Sequence, residues 1–385
     1  MRIYYWAPFF TNIATIKAVI NSAKSLLKFS KKNRNYDTCI INAIGEWNDY
    51  IDNDANKIKF KNLSKINWIK VIPKGGFFKS RLSYIFIFAI NLLSLLNLIN
   101  KEKPDYLIIH LITSLPIFLS PFFCKKTKII LRISGLPKLN IFRSIFWKIY
   151  SKKIHKITCP TQSTYDKIIK SKIFDRKKIY LLRDPILNVN NILKKGKEKL
   201  EDKIKNEKYI LGIGRLTKQK NFPLLLNFFN QLSKKYPEYK LYILGDGENK
   251  KILNNMINLY KLNTKVFLLG YQSNVFKYLK SADCFVLSSL WEDPGFVLAE
   301  AGMMNTNIIS SDCLNGPKEI ICNNTYGYLS KFNDPQDLSK NILKAMNKKI
   351  SKDKTKKILE KFSTTQVIKK HFSLLKIKKK YWKIN

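Results

Sequence analysis

Short apolar runs alternate along this chain with longer stretches whose apolar residues recur at helical spacing. In the first half, residues 2–6, 37–42, 106–110, 128–133, 157–160 and 179–182 are runs rich in Ile, Leu and Tyr. Runs with no polar alternation predict strands buried on both faces, as in a parallel sheet. Between them, residues 13–29, 82–99, 143–153 and 161–171 predict helices, the last capped by Thr161. Residues 7–12 read as a turn and 45–56 as a polar loop, and 112–123 is apolar but broken by Pro116 and Pro121. After Arg183-Asp184-Pro185 the pattern fades, and the Lys-rich residues 188–207 read as a linker. A second alternation follows, with strands at 209–213, 240–244, 266–269, 284–287, 307–310 and 327–329. Its helices start near Pro223 and after Glu248, then cover 275–281, 294–304 and 335–347. The order is that of an α/β protein with two Rossmann-like halves, 1–187 and 208–361. A basic C-terminal helix, 362–385, has the first half as its expected resting place.

Length and composition sharpen this. A chain of 385 residues fits two domains, and 45% hydrophobic residues suffice for two cores. The formal charge is +44, from 71 basic and 27 acidic residues. Such an excess attracts polyanions: nucleic acid, acidic lipid or a phosphorylated substrate. Part of it is compositional, since Lys, Asn and Ile crowd every segment. No RNA- or DNA-binding motif is present. Cys39, Cys124, Cys159, Cys284, Cys313 and Cys322 include no Cys-x-x-Cys pair, which reads as a reduced, cytoplasmic set with no metal framework. The N-terminus reads as a first strand rather than a signal peptide.

Leu82 to Ile99 is eighteen residues without a charge, close to the minimum for a membrane span. Ser83, Asn91, Ser94 and Asn97 interrupt it, and Lys79, Arg81, Lys101 and Lys103 flank it. The reading is a helix with one face in the core and the other at a membrane interface. Residues 143–153 interleave cations with Phe146, Trp147 and Tyr150 beside Phe142, which also suits lipid headgroups. Peripheral contact with an anionic membrane, on its cytoplasmic face, is the expectation.

The stretch 288–301, Ser-Ser-Leu-Trp-Glu-Asp-Pro-Gly-Phe-Val-Leu-Ala-Glu-Ala, carries the candidate chemistry. A strand leads into a turn and a helix expected to open at Pro294. Free amides and the positive dipole end at 294–297 make a seat for phosphate. Glu292 lies just outside that helix and Glu300 inside it. Two carboxylates framing a phosphate seat fit hydroxyls beside a phosphate, as in a sugar nucleotide. Gly214-Arg215 with Lys220 offers a guanidinium and an ammonium for a diphosphate. Gly245-Asp246-Gly247-Glu248 and the Gly316-Pro317 turn also follow strands, where α/β sheets bind ligands. Asp52-Asn53-Asp54 has the spacing of a metal-diphosphate motif but follows no convincing strand, so no metal site is assigned. His110 follows a strand and is either a packed histidine or a group facing the substrate.

In these residues the second half resembles the retaining glycosyltransferases of the GT-B fold, family GT4. The resemblance rests on Gly-Arg-Leu-Thr-Lys-Gln-Lys-Asn at 214–221, Leu-Gly-Asp-Gly-Glu at 244–248 and the Glu-x7-Glu pair. It covers 208–347, and the first half more loosely. It implies two facing Rossmann-like domains with a central cleft. It implies that Arg215 and Lys220 hold the donor diphosphate, that Glu292 binds the donor sugar and that Glu300 binds the ribose. The amides of Gly295, Phe296 and Val297 would meet the phosphates, and Gly214, Gly245, Asp246 and Gly247 would line the donor site. Glu292, Arg215, Lys220 and His110 are the catalytic candidates, with Arg132 or Ser134 as alternatives in the region of His110. The implied reaction moves a hexose or N-acetylhexosamine from a UDP-sugar to a lipid-linked or polysaccharide acceptor, with no cofactor or metal. Residues 7–12, Ala-Pro-Phe-Phe-Thr-Asn, lack the glycines usual in the family's first loop. A GDP- or ADP-sugar donor, a scaffold without catalysis and a basic nucleic-acid-binding protein are the competing readings.

Overall fold

The computed structural model describes residues 1–10, 14–28, 36–51, 58–72, 77–133, 135, 139–292, 294–322, 326–347 and 362–376. The chain divides into two compact units. One holds Met1–Ile186 and the chain from Thr364 onward, the other Leu187–Ser363.

The first unit is a seven-stranded sheet, every pair parallel, in the order β3-β2-β1-β4-β5-β6-β7. The strands are β1 Arg2–Trp6, β2 Asp37–Asn42, β3 Lys59–Asn62, β4 Tyr106–Ile109, β5 Lys128–Arg132, β6 Ile154–Cys159 and β7 Ile179–Leu181. The order reverses between β1 and β4, so the loop after β1 and His110 after β4 flank the switch point where such sheets bind ligands. The second unit is a six-stranded parallel sheet in the order β10-β9-β8-β11-β12-β13. Its strands are β8 Lys208–Ile213, β9 Tyr239–Leu244, β10 Val266–Leu268, β11 Cys284–Leu287, β12 Asn307–Ser311 and β13 Tyr328–Ser330. Here the reversal falls between β8 and β11.

Several elements differ from their sequence reading. β3 was not foreseen; Lys59 and Lys61 break its apolar character, as suits a charged edge strand. Within the expected loop 45–56, residues 48–51 form one helical turn, while Asp52-Asn53-Asp54 lie outside the described residues. The helix placed at 294–304 starts at Phe296 and ends at Met303, so Pro294 precedes it rather than opening it.

Residues 188–207 are not a free linker. They form helices Val189–Lys195 and Asp202–Lys205 and belong to the second unit. Ile192, Leu200 and Ile204 are buried, spaced too thinly among lysines to register as a pattern. Asn274 Nδ2 donates to Lys195 O at 2.9 Å and Glu198 Oε2 at 2.7 Å. Glu201 Oε1 accepts from Lys277 Nζ at 2.8 Å and Tyr278 OH at 2.9 Å.

The helix Phe77–Glu102 is longer than the apolar run that announced it. Ser83, Ile87, Asn91, Leu95 and Ile99, four residues apart, form one fully buried stripe. Asn91 is tolerated there because its Nδ2 donates to Ile87 O at 3.0 Å.

The C-terminal helix Thr364–Leu374, shorter than the expected 362–385, packs on the helix Ala14–Lys28 of the first unit, with Val367, Ile368 and Phe372 buried; residues 377–385 lie outside the described ones. Tyr106 OH donates to Leu375 O at 3.2 Å and Lys156 Nζ to Leu374 O at 2.6 Å, fixing the end of that helix to β4 and β6. His371 is buried, with Nδ1 3.3 Å from Ser22 Oγ, which meets Tyr5 OH at 2.9 Å. Burial, reinforced by the Arg132 charge, pushes the His371 imidazole down to about 3. The unfolded imidazole titrates near 6.5, so protons reach the unfolded chain first. The stabilising contribution of His371 is therefore complete above that pH and lost as the pH falls toward 3. The urea midpoint of the first unit should fall between pH 7.5 and pH 5, and His371→Gln should flatten that fall. An equal fall in the variant would place the acid sensitivity elsewhere.

Candidate functional site

The site candidates of the second unit sit on loops tied to one another mainly by backbone. Gly214 N donates to Leu244 O at 2.9 Å, Leu216 N to Asp246 O at 2.9 Å and Gly245 N to Gly270 O at 2.7 Å. The loops after β8, β9 and β10 thus form one surface. Gly245, at φ 141°, admits no side chain: a Cβ there would lie 1.9 Å from Gly214 O. Leu216 is fully buried and anchors the first loop, leaving Arg215 exposed beside it. Asp246 is also exposed. Its Oδ1 accepts from Gly247 N at 2.9 Å, closing its own turn.

A second set of bonds joins the loops after β8 and β11 across the switch point. Ser288 Oγ donates to Lys220 O at 2.9 Å and Asn221 O at 3.1 Å. Leu290 N donates to Gln219 O at 2.8 Å, and Gln219 Nε2 to Trp291 O at 2.9 Å. This framework brings Lys220 Nζ to 2.6 Å from Glu292 Oε1, with the side chains 14% and 5% exposed. The Ser289 hydroxyl donates to the same oxygen, and Glu292 N donates to Leu314 O at 3.1 Å. A buried carboxylate is stable only when its charge is met in this way. Beside it the thiol of Cys313 is pushed up to about 12, first by burial and then by the Glu292 charge.

The helix Phe296–Met303 opens on Gly295, which caps it in the left-handed region at φ 82°. Pro294 is pressed onto the next loop: a Cβ on Gly316 would come within 2.1 Å of Pro294 O. The amides of Phe296 and Val297 lie in the first turn, where no helical carbonyl reaches them. Glu300 is half-buried on the same helix. The arrangement presents a buried acceptor, a cation and a helix N-terminus within one stretch. That set can take hydroxyls and an anion side by side.

His110 and Arg132 belong to the first unit. His110 is buried, its Nδ1 has no hydrogen-bond partner, and its ring centroid is 6.1 Å from that of Tyr5. Burial, helped by the charges of Arg132 and His371, holds it well below the usual histidine range, so it is neutral near pH 7. Arg132 is equally buried, its guanidinium donating to Leu182 O and Asp184 Oδ1. Burial raises the Asp184 carboxyl against the opposing pull of Arg132. His110 and Arg132 contribute to one wall of a groove of about 770 Å³ that includes Tyr84, Phe142, Phe146 and Trp147. Ser134 lies outside the described residues. Ser289, Asp184 and His371 were not singled out from sequence; only the chain position of the Ser-Ser pair, between β11 and Glu292, hinted at the first.

Residues 195–362 match the family model described as Glycosyl transferases group 1. An uncharacterized glycosyltransferase of Methanocaldococcus jannaschii is 35% identical over 246 residues, 59% of this chain and 60% of that protein's length. The N-acetylgalactosamine-N,N'-diacetylbacillosaminyl-diphospho-undecaprenol 4-alpha-N-acetylgalactosaminyltransferase of Campylobacter jejuni is 26% identical over 263 residues, 66% of this chain and 68% of its own. The crystal structure of Anabaena HepE in complex with UDP superposes with a TM-score of 0.75 at 12% identity, covering 98% of this chain and 100% of that one. At that identity the likeness shows the fold, which is that of the GT-B glycosyltransferases.

Removing the cation at 220 leaves Glu292 buried and uncompensated. Lys220→Met should destabilise the second unit by about 3–5 kcal/mol, read from urea unfolding. Adding Glu292→Gln should restore most of the loss. A single variant as stable as the parent would show that the pair is not closed in solution.

Proposed function

We propose, from the match of residues 195–362 to the glycosyl transferases group 1 family model, that this chain moves a hexose or N-acetylhexosamine from a UDP-sugar to a lipid-linked or polymeric glycan, with retention of configuration. The observation that carries the proposal is the Lys220–Glu292 pair beside the N-terminus of the helix Phe296–Met303. Transfer leaves a nucleoside diphosphate, whose charge grows as the glycosidic bond breaks. Groups already fixed around that charge lower the barrier, since they need no reorganisation during the reaction. Lys220, the Phe296 and Val297 amides and the exposed Arg215 are the groups assigned to it. Glu292 then binds donor-sugar hydroxyls, and Glu300 the ribose.

Glu292 is paired with Lys220 and Ser289 and almost closed to solvent, which favours a binding role over a nucleophilic one. Retention would follow from attack by the acceptor hydroxyl on the face the phosphate leaves. His110, neutral and lining the groove of the first unit, is the candidate to act on the acceptor side. Uridine is favoured because HepE was crystallised with UDP. A lipid-linked acceptor is favoured because the Campylobacter relative is named for a diphospho-undecaprenol substrate. The reaction would then run at the cytoplasmic face of a membrane. With cations of its own at the diphosphate, the chain is proposed to work without a metal.

Thermal unfolding with UDP, GDP or ADP, in EDTA, tests this reading. A nucleotide at a hundred times its dissociation constant should add about 2.7 kcal/mol. UDP alone should stabilise the chain, and Arg215→Ala and Glu300→Ala should each weaken the effect. A shift with GDP or ADP instead would reassign the donor. No shift with any nucleotide, in a folded protein, would overturn the proposal.

A further inference from the structure

The helix Phe77–Glu102 is apolar on two sides. Its buried stripe, Ser83 to Ile99, packs into the core of the first unit, which leaves the opposite side outward. There Leu82, Ile85 and Leu93 are 63%, 67% and 67% exposed. A helix that serves a soluble core needs apolar residues on one face only. The helix Ile141–Tyr150 repeats the pattern, with Trp147 buried and Ile141, Ile145 and Ile149 in an exposed stripe four residues apart, beside Phe142 at 84%. The short helix Ser114–Leu119 and the turn Ser120–Phe122 join the two. Phe118 meets Phe88 of the long helix at 5.5 Å and Tyr150 at 6.3 Å between ring centroids, and Asn100 Nδ2 donates to Phe122 O at 3.1 Å. Phe118 and Phe122 are themselves exposed. Half of the large hydrophobic side chains exposed among the described residues, ten of twenty, therefore lie on these three neighbouring segments.

The charge around them is almost all of one sign, and Glu102, at the end of the long helix, is paired with Lys61 and Arg2. Residues 77–101, 114–126 and 141–153 contain no Asp or Glu. Lys125, Arg143, Lys148, Lys152 and Lys153 are exposed on or just beyond these segments. Apolar side chains edged with cations match the boundary of an anionic bilayer, where hydrocarbon lies beneath negative headgroups. A second copy of this chain would bring the same cations to the contact and be repelled. The residues from Leu82 to Glu102 are long and apolar enough to cross a bilayer. They cannot do so while Ile87, Leu95 and Ile99 are packed into the core, so the helix must lie along the surface.

We propose that the outward stripes Leu82–Ile85–Leu93 and Ile141–Ile145–Ile149, bridged by Phe118 and Phe122, seat this chain on an anionic lipid bilayer with both helices in the plane of the headgroups. Tyr84 and Phe142 belong both to this exposed face and to the groove beside His110, so a seated chain brings that groove to the lipid surface. The transferase reading gives the surface its purpose, a lipid-linked acceptor, but the surface stands on its own geometry.

The test is flotation of the purified full chain with phosphatidylcholine vesicles, with and without phosphatidylglycerol, at low and high salt. The parent should float with the anionic vesicles at low salt and be partly retained at high salt. The triple variant Ile141→Glu, Ile145→Glu, Ile149→Glu should lose about tenfold or more of that binding. Its melting temperature and UDP-induced shift should match the parent's, because the three side chains are already exposed. No flotation at low salt, or equal flotation of parent and variant, would overturn the proposal. So would light scattering that shows a parent dimer split by the variant, since the face would then be covered by a second copy. Flotation without any nucleotide shift would leave the surface standing and remove the transferase reading instead.

Discussion

The buried contact between Lys220 and Glu292 is what the second unit is arranged to hold. It crosses the point where the strand order reverses, linking the loop after β8 to the loop after β11. A lysine and a glutamate taken out of water gain little from each other unless their remaining hydrogen-bonding capacity is also met. The Ser289 hydroxyl meets it in part, and the Ser288 bonds to Lys220 O and Asn221 O, with backbone bonds from Leu290 and Glu292, fix the loops around it. A hydrophobic pair would hold these loops together at less cost in desolvation. Retention of charge there has a ready explanation in a ligand that needs both a cation and an acceptor.

The glycines serve the same end by a different route. Gly245 and Gly316 sit where a side chain would strike the backbone of another loop, Gly214 in one case and Pro294 in the other. Each lets two strand-end loops approach to backbone contact, so that the amides and carboxylates of separate strands share one small region. The sequence shows these glycines as separate weak signals. Their joint effect is non-local, since a helix and a strand separate Gly214 from Gly245, and likewise Pro294 from Gly316.

That distinction explains how much could be read from the chain alone. The buried strands were legible because parallel sheets covered on both faces leave continuous apolar runs, and β2 and β9 were found nearly to the residue. The charged pair was legible as residue types on suitable loops, but the 2.6 Å contact was not, because spacing carries no information about which loops meet. β3 was missed because an edge strand tolerates the lysines that hide it. Residues 188–207 were taken for a linker because three buried side chains are enough to dock two short helices, and too few to show periodicity among lysines. His110 was legible as a strand-end histidine. Its neutrality was not, since that depends first on its burial in the folded unit and then on the charge of Arg132 from β5.

The same contrast separates the two roles of the chain's positive charge. Most of its 71 lysines and arginines add to a general attraction for anions that falls off with salt. Lys220, Arg132 and Lys156 are different: each is largely removed from solvent and meets a particular acceptor, Glu292, Asp184 and Leu374 O respectively. Arg132 and Lys156 tie together parts of the first unit through these acceptors. Lys220 alone of the three adjoins free helix amides and a loop with an exposed arginine, so it can share its charge with an incoming anion without leaving Glu292 bare. On the proposed reading, specific recognition rests on very few of the cations, and the net charge of +44 describes the surface on which that recognition is mounted rather than the recognition itself.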